Sequence, residues 1–492
     1  FMKNTFISRR NFLKITSSTL LASMAGVSRL SAKSESEMPN ILMILVDDLG
    51  WSDIGCYGSD LHETPNIDSF AEQSMLFTDA YASSPVCSPT RASILSGKHT
   101  ARLNMTVWRE AAKRPPWACR GPLLPPITKD NLPLEETTFP ELLHKKGYQT
   151  AHIGKWHVGD FAHFPQNNGY DINIGSSVWG APPTYFYPYK GVIYDEPRFV
   201  PGLSKDKNDR YFTDRKNEYL TDRLTDEAIK IIDHAGHKPF FMSLWYHTVH
   251  TPIEGKKKYV DYYKEKIKQG MNHQNAKYAA MVKSLDDNVG RVLNKLKQQK
   301  IEDNTLVIFF SDNGGQINKW NSQQVTSNAP LRSGKGGLYE GGIRVPLVIR
   351  WPGKIKPGSK TSLPVTAMDL YPTICTAAKL KPDQDSLDGR CLMDILTAEK
   401  STLNRDCLYW HYPHYYDNIT SPVSAVRSGD YKLLKYYEDN RTELYNLKQD
   451  LSEANDLSGE KPEKKQQLLA KLNNWLKQID AKFPEENPDY NP

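Results

Sequence analysis

Cys87, Pro89 and Arg91 stand out in the stretch SPVCSPTRASILSG, which is otherwise small and polar. Cys87 lies two residues before the proline and four before the arginine, and a merely buried thiol would need neither at a fixed distance. As a bare thiolate nucleophile Cys87 would require a histidine base, and no local cysteine-protease signature accompanies it. We therefore treat Cys87 as a candidate functional residue, with a buried structural thiol as the alternative.

Two pairs of oxygen-bearing side chains form a second candidate site. Asp47 and Asp48 directly follow an apolar run, and far downstream Asp312 and Asn313 follow another. Adjacent carboxylates repel each other unless a cation or strong donors lie between them. Four oxygen donors suit a hard cation, Ca²⁺ or Mg²⁺, better than zinc, because no cysteine or histidine adjoins them. For either pair alone, a solvated turn is the alternative.

The elements that must position these residues are short buried strands and helices in alternation. An apolar run that ends in polar residues predicts a buried parallel strand, and ligands bind at the carboxyl edge of such a sheet. The stretch TTFPELLHKKGY predicts a helix with a threonine cap and a glycine stop, and Ser88 and Pro89 predict another that begins near Cys87. Further strands are predicted at residues 149–159, 239–246 and 345–351. The alternation predicts an α/β fold with a doubly wound sheet.

The character of the chain changes near residue 401. Two antiparallel hairpin stretches and a Lys-rich helix through Trp475 follow, so we predict a main domain at residues 39–400 and a smaller C-terminal subdomain at 401–492. The net charge of +6 comes from basic and acidic residues that are interspersed, which predicts no nucleic-acid binding. The six cysteines form no C-x-x-C pair, and the sequence does not show whether any form disulfides.

The N-terminal segment, residues 1–38, predicts an export signal. Arg9 and Arg10 precede a mildly apolar run at residues 15–27 that is too short to span a membrane. This pattern resembles a twin-arginine signal of bacteria, with a basic amphipathic extension as the alternative. It predicts an exported protein, periplasmic or extracellular, that uses the twin-arginine machinery and has no transmembrane span in its mature chain.

The C-x-P-x-R pattern of Cys87, Pro89 and Arg91, followed by ILSG, resembles the type I, formylglycine-dependent sulfatases of the alkaline phosphatase superfamily. The stretches VDDLG, GKWHVG, HTVHTP, SDNGG and GKGGLYEGGIRVP stand in that family's order, so the resemblance covers most of the chain. Thr90, where many members have serine, is a mild departure. The resemblance implies an alkaline phosphatase-like doubly wound sheet with a smaller C-terminal α+β subdomain.

The resemblance also implies a sulfuric ester hydrolase with a modified nucleophile. A maturation enzyme would oxidise Cys87 to formylglycine, whose hydrate attacks the sulfur and expels the alcohol, while its second hydroxyl then releases the sulfate. The ion would be calcium, and the implied ligands are Asp47, Asp48, Asp312, Asn313 and the modified Cys87.

Five basic side chains receive roles by the same resemblance. Lys155 and Lys335 would clamp the sulfate, and Arg91 would hold the formylglycine hydroxyl. His157 lies two residues after Lys155, on the same face of the predicted strand, and would take the second hydroxyl proton. His250 would protonate the leaving oxygen, and His247 is its local competitor.

Three aromatic-rich stretches are candidates for substrate selection: residues 106–121, 175–190 and 408–417. The last stretch contains His411 and His414. We expect these two histidines to bind the substrate, in addition to Lys155, His250 and Lys335. Such side chains suit stacking on a sugar, or alternatively packing of the two domains. We expect hydrolysis of an O-sulfate on a sugar, of galactose or N-acetylgalactosamine type. The alternatives are an aryl or small-alcohol sulfatase, a phosphatase or phosphodiesterase of the same superfamily, and a non-catalytic sulfated-glycan binding protein.

Overall fold

The apolar run before Asp47 forms an inner strand of an eight-stranded sheet in the computed structural model, which describes residues 38–193, 196–199, 218–236 and 238–491. The predicted export signal lies outside the described residues, apart from Met38.

The strands of the described residues are β1 (Asn40–Val46), β2 (Met75–Phe77), β3 (Ala80–Tyr81), β4 (Leu123–Leu124), β5 (Gln149–Gly154), β6 (Ile172–Ile174), β7 (Lys190–Ile193), β8 (Glu196–Phe199), β9 (Phe240–Trp245), β10 (Thr305–Ser311), β11 (Lys319–Trp320), β12 (Gln323–Gln324), β13 (Leu347–Arg350), β14 (Ser359–Thr361), β15 (Val365–Thr366), β16 (Leu408–Tyr412), β17 (Val423–Ser428), β18 (Tyr431–Tyr436), β19 (Thr442–Asn446) and β20 (Glu485–Glu486). The α-helices are α1 (Pro65–Glu72), α2 (Cys87–Ser96), α3 (Arg109–Ala112), α4 (Phe139–Lys145), α5 (Leu220–His234), α6 (Lys257–Lys266), α7 (Ala276–Gln298), α8 (Glu340–Ile343), α9 (Leu370–Ala377), α10 (Met393–Leu396) and α11 (Pro462–Gln478).

The large sheet has the strand order β14-β2-β13-β10-β1-β9-β5-β6. β1 pairs in parallel with both β10 and β9, and β13 alone runs antiparallel to its two neighbours. The register pairs Val46 with Ser311, so Asp47 and Asp312 leave adjacent strands at the same level. The sheet is therefore mostly parallel, as predicted, and its carboxyl edge brings the two oxygen-bearing pairs together.

Helices cover both faces of this sheet because β1 is apolar on both sides. Ile41, Met43 and Leu45 pack into one core with α2, α4 and α9. Leu42, Ile44 and Val46 pack into a second core with α1, α5 and α7. A strand that is buried on both faces reads as a continuous apolar run, and this explains why the pattern of β1 does not alternate.

The predicted helix in the stretch TTFPELLHKKGY is α4. Thr138 and Glu141 form a reciprocal capping box at its start, and Pro140 occupies the first turn. Phe139 and Leu143 are buried against the sheet. The threonine cap and the apolar spacing thus act as the sequence indicated.

One predicted strand is too long. The stretch predicted as a strand at residues 149–159 forms β5 only as far as Gly154, which has a φ of 103°. A Cβ atom there would lie 2.1 Å from the carbonyl oxygen of Trp245, so the chain turns where only glycine fits. Lys155 and His157 lie in the loop that follows, and the expectation that they share one face of a strand is wrong.

The C-terminal region forms the predicted antiparallel sheet, in the order β16-β17-β18-β19, with α11 packed on it. Leu433 and Leu444 face Leu468 and Leu472 of the helix. The opposite face of the sheet packs, through Trp410 among others, against the segment that leads into α2. The residues from 38 onward form one compact unit, so the predicted boundary at residue 401 stays a prediction.

All six cysteines are free thiols in this structure. No helix within the described residues combines the length and apolar character that crossing a membrane requires.

Candidate active site

Cys87 is the first residue of α2, a helix whose ten residues are all buried. Val86 precedes it in an extended conformation, and Pro89 lies in the first turn, where its missing N–H costs nothing. The Cys87 side chain therefore lies at the positive end of a helix, as predicted. Its residue surface is 3% exposed, so this end is closed to bulk water.

Two lysines and a histidine lower the pKa of the Cys87 thiol. Burial raises the pKa of the thiol, but the charges of Lys155, His157 and Lys335 outweigh burial and lower it to about 6. His157 is in direct contact with the sulfur, since its Nδ1 lies 3.2 Å from Sγ. This pocket therefore favours negative charge on whatever group is attached at position 87.

His157 is held on its far side by Glu110, a residue that the sequence analysis did not identify. The Nε2 of His157 lies 2.7 Å from Glu110 Oε2, and the other carboxylate oxygen accepts a hydrogen bond from the Gly180 backbone N–H at 3.1 Å. Because a carboxylate only accepts, Nε2 carries the proton and Nδ1 is left to face Cys87.

Burial and charge act in opposite directions on this pair. Burial lowers the pKa of His157, but Glu110 and the Cys87 thiolate raise it above its usual value. Burial raises the pKa of Glu110, but His157 lowers it to about 2. Glu110 lies in α3, 47 residues before His157, and no spacing rule in the sequence connects them.

The four predicted oxygen ligands meet at the carboxyl edge of β1 and β10. Asn313 Nδ2 donates to Asp48 Oδ1 at 2.8 Å, and the Asp48 N–H donates to Asp312 Oδ1 at 3.2 Å. Asp47 Oδ1 and Asn313 Oδ1 are buried with no hydrogen-bond partner among the described residues. Two unpartnered oxygens that converge with two more carboxylates fit a hard cation.

Each carboxylate of this cluster also pairs with a cation from a different segment. Lys155 Nζ lies 2.7 Å from Asp47 Oδ2, and Lys335 Nζ lies 2.8 Å from both oxygens of Asp48. Arg91 pairs with Asp312 through Nε at 2.8 Å and Nη2 at 2.7 Å.

Arg91 also fixes the loop after β5, because its Nη1 donates to the Lys155 carbonyl at 2.8 Å. The Arg91 guanidinium donates its hydrogen bonds to Asp312 and to this carbonyl, so its predicted role of holding the group at Cys87 stays a prediction. Lys155, Lys335 and Arg91 together surround the cluster with positive charge that a bound anion could share.

His250 presents one ring nitrogen to the cluster. Its Nδ1 lies 2.8 Å from the Thr251 carbonyl oxygen, so Nδ1 carries the proton, and Nε2 lies 3.6 Å from Asp48 Oδ2. Burial and the nearby Lys335 charge lower the pKa of His250 well below its usual value. His247 is almost wholly buried, whereas the His250 side chain keeps 14% exposure, and the choice of His250 as the proton donor stays a prediction.

His411 and His414 are not brought to this cluster. The two ring nitrogens of His411 lie 2.7 Å from Ser424 Oγ and 2.8 Å from the Lys482 carbonyl oxygen, so neither is left for a ligand. His414 Nε2 lies 2.8 Å from Thr106 Oγ1, and burial lowers the pKa of His414 to about 3. Both histidines therefore make internal packing contacts, which is the alternative to substrate binding for this stretch.

The cluster combines a group at a helix N-terminus, a histidine beside it, three cations, a set of oxygen ligands and a second histidine. Cations that face a common centre stabilise the charge on a tetrahedral anion. A histidine on either side can take or give a proton. Such an arrangement suits transfer of an anionic group to water.

Comparisons with known proteins agree with this chemistry. Residues 39–380 match the Sulfatase family, and residues 334–482 match the family described as N-sulphoglucosamine sulphohydrolase, C-terminal. A sulfatase of Formosa agariphila is 33% identical over 95% of this chain and 93% of its own length. The N-acetylgalactosamine-6-sulfatase of Sus scrofa is 30% identical over 89% of this chain and 79% of its own.

A solved structure agrees in fold over almost the whole chain. The crystal structure of Ps i-CgsB in complex with k-i-k-neocarrahexaose has a TM-score of 0.73 and 28% identity, and it covers 92% of this chain and 95% of its own. With the family matches, this places the chain among enzymes that hydrolyse sulfuric esters. The protein belongs to the sulfatase family.

Proposed function

We propose that this sulfatase removes an O-sulfate from a sugar, with Cys87 converted to formylglycine and with a bound calcium ion. The observation that carries the proposal is the position of Cys87, whose buried sulfur lies 3.2 Å from His157 Nδ1 and within 4.8 Å of carboxylate oxygens of Asp47 and Asp312. A phosphatase of the same superfamily would normally present serine or threonine at this position.

The sugar substrate is supported by the relatives. The Sus scrofa relative is an N-acetylgalactosamine-6-sulfatase, and the Ps i-CgsB structure was solved with k-i-k-neocarrahexaose. We therefore propose a sugar of galactose or N-acetylgalactosamine type. Steryl-sulfatase of Homo sapiens is also similar, at 30% identity over 77% of this chain, so aryl and steroid sulfates are the competing substrate class.

In the mature enzyme the Cys87 sulfur marks where the oxygens of hydrated formylglycine would lie. That group supplies one hydroxyl to attack the sulfate and a second whose deprotonation lets the sulfate leave. His157 faces this position through Nδ1, and Glu110 keeps the proton on Nε2, so His157 can accept a hydroxyl proton. Lys155 and Lys335 would bind the sulfate oxygens.

The oxygen cluster fits calcium. Asp47, Asp48, Asp312, Asn313 and the modified Cys87 would hold the ion. The unpartnered Asp47 Oδ1 and Asn313 Oδ1 would gain the partner that they lack. When bound, the ion polarises the sulfate and lowers the pKa of the nucleophilic hydroxyl.

Two partners complete the proposal. A formylglycine-generating enzyme would read the Cys87, Pro89 and Arg91 pattern, and the twin-arginine machinery would export the chain through Arg9 and Arg10 to the periplasm or beyond.

Expression with a formylglycine-generating enzyme should convert Cys87 to the aldehyde, because the nucleophile requires it. Mass spectrometry of the peptide that carries Cys87, together with sulfatase assays, measures this. The variant Cys87→Ala should fold and lose activity, and a preparation without the maturation enzyme should be nearly inactive. Full activity from an unmodified thiol would contradict the mechanism. Faster hydrolysis of phosphate esters than of sulfate esters would favour the phosphatase alternative.

Chelation should abolish activity, and added Ca²⁺ should restore it, because without the ion the buried Asp47 Oδ1 and Asn313 Oδ1 have no hydrogen-bond partner among the described residues. Metal analysis should find about one calcium per chain, and Asn313→Ala should need more Ca²⁺ to reach full activity. Asn318→Ala is a matched control, since Asn318 bonds Asp417 outside the cluster. A metal-free preparation that keeps its activity would contradict this prediction.

Glu110→Gln should lower kcat and change KM little. The glutamine amide can donate to His157 Nε2, which would place the ring proton on Nδ1, and Nδ1 could then no longer accept a proton at position 87. We expect a loss smaller than the ~10²–10⁴-fold contribution of the general base itself. Glu110→Asp should recover part of the rate. The matched control is Glu135→Gln, whose side chain is 74% exposed. An unchanged kcat in Glu110→Gln would show that Glu110 only packs.

His250→Ala should reduce hydrolysis of sugar sulfates far more than hydrolysis of nitrophenyl sulfate, since a sugar alkoxide leaves poorly without a proton donor. His250 can donate from Nε2 once the negative charge of a bound sulfate offsets the Lys335 charge that lowers the His250 pKa. For the sugar substrate the expected loss in kcat is about 10²–10⁴-fold. His144→Ala, on a side chain that is 53% exposed, serves as the control. Equal losses on both substrates would argue against proton donation by His250.

A further inference from the structure

Three aromatic rings form a row that leads from the active site to the surface. Tyr416 lies against the backbone beside Lys335, since a Cβ atom on Gly336 would lie 2.2 Å from its ring. The Trp108 ring is 5.4 Å from Tyr416, and the Trp117 ring stacks on Trp108 at 5.9 Å with an interplanar angle of 14°. Trp117, at the outer end, is 49% exposed, so the row ends in an accessible ring.

The segment that carries Trp117 is also basic. Residues 111–120 hold Lys113, Arg114 and Arg120 and no acidic residue. Lys113 and Arg120 are exposed, and no ion pair involves any of the three basic residues in the described part of the chain. Arg114 Nε is buried with no hydrogen-bond partner in that part of the chain. The surface around Trp117 therefore offers basic side chains that form no ion pair within the described residues.

The same segment is fixed at both ends. At its start, Glu110 bonds His157 of the active site. At its end, Asn487 Nδ2 donates to the carbonyl oxygens of Cys119 and Gly121 at 3.2 and 2.8 Å. Trp117 is thus held at a set position relative to the catalytic residues, which is what a binding surface requires.

We propose that Trp117 and the basic residues around it bind a second, anionic sugar of the substrate, next to the sugar that loses its sulfate. An exposed aromatic ring stacks on the apolar face of a sugar, and arginine and lysine pair with a sulfate or carboxylate on it. An isolated sulfated monosaccharide cannot occupy the active site and this surface together. The inference rests on the proposed function and narrows it, because the preferred substrate becomes an acidic oligosaccharide.

The test compares three substrate classes in wild type and in Trp117→Ala: nitrophenyl sulfate, galactose or N-acetylgalactosamine 6-sulfate, and sulfated galactan or chondroitin sulfate tetrasaccharides. Trp117→Ala should raise KM about 3- to 10-fold for the tetrasaccharide that wild type hydrolyses best and leave kcat unchanged. The two small substrates should be unaffected. Trp117→Phe should keep most of the affinity, because the ring remains.

Arg114→Gln should raise the same KM and make it less dependent on salt, because one charge pair is lost. Tyr262→Ala is the control for removal of an exposed aromatic ring; its hydroxyl bonds Glu63, away from this surface. Calorimetry of the inactive Cys87→Ala variant with the same tetrasaccharide should show the same order of affinities without any need for maturation.

The outcomes separate this inference from the proposed function. If wild type hydrolyses sulfated sugars but binds the tetrasaccharide no better than the monosaccharide, or if Trp117→Ala affects all substrates equally, the second sugar site is wrong and the sugar sulfatase stands. If wild type hydrolyses nitrophenyl sulfate and no sugar sulfate, the proposed function fails, and this inference fails with it.

Discussion

Three carboxylates, those of Asp47, Asp48 and Asp312, are buried together at the ends of two adjacent strands, and the architecture of the site follows from that constraint. Neighbouring carboxylates that are buried in a medium of low dielectric constant destabilise the folded state by several kcal/mol unless cations compensate their charge. The parallel register of β1 and β10 fixes their closeness, because Val46 pairs with Ser311. Compensation must come from cations that other segments bring to the same edge of the sheet.

Lys155, Lys335 and Arg91 supply that compensation, one cation for each carboxylate. They come from the loop after β5, a glycine-rich loop and α2, so three separate parts of the chain depend on one cluster. The same cations that stabilise the buried carboxylates are positioned to bind an anionic group. The same three side chains therefore neutralise the buried carboxylates and are positioned to recognise a sulfate.

The C-terminal sheet takes part in this balance through the glycine-rich loop. Lys432 of β18 is buried and lies 2.9 Å from carboxylate oxygens of both Glu340 and Glu453, and Glu453 accepts the Glu340 N–H at 2.6 Å. Glu340 begins the short helix α8, five residues after Lys335. Beside it, Gly314 must be glycine, because a Cβ atom there would lie 1.8 Å from the Gly341 carbonyl oxygen. The buried triad thus holds the loop that presents Lys335.

The sequence predicted the elements whose signals are local. The apolar runs that end in Asp47 and Asp312, the capped helix α4 and the helix that starts at Cys87 all needed only neighbouring residues. It failed where the signal is distant. The predicted strand through His157 is too long because the close approach of Gly154 to Trp245 is a tertiary contact. Glu110 has no sequence signal because only the folded chain brings it to His157.

Backbone strain at two of the functional residues follows from the same packing. Asp48 and His157 have φ values of 60° and 58°, a left-handed conformation that costs a residue other than glycine of order 1–3 kcal/mol. Surrounding contacts must hold each in place. Asp48 is fixed by Asn313 and Lys335, and the His157 ring is packed against Gly180, where a Cβ atom would lie 2.3 Å from it. The loop that carries Gly180 and the segment that carries Glu110 therefore define the position of the histidine, so the loops outside the shared motifs influence the catalytic centre as well as the choice of substrate.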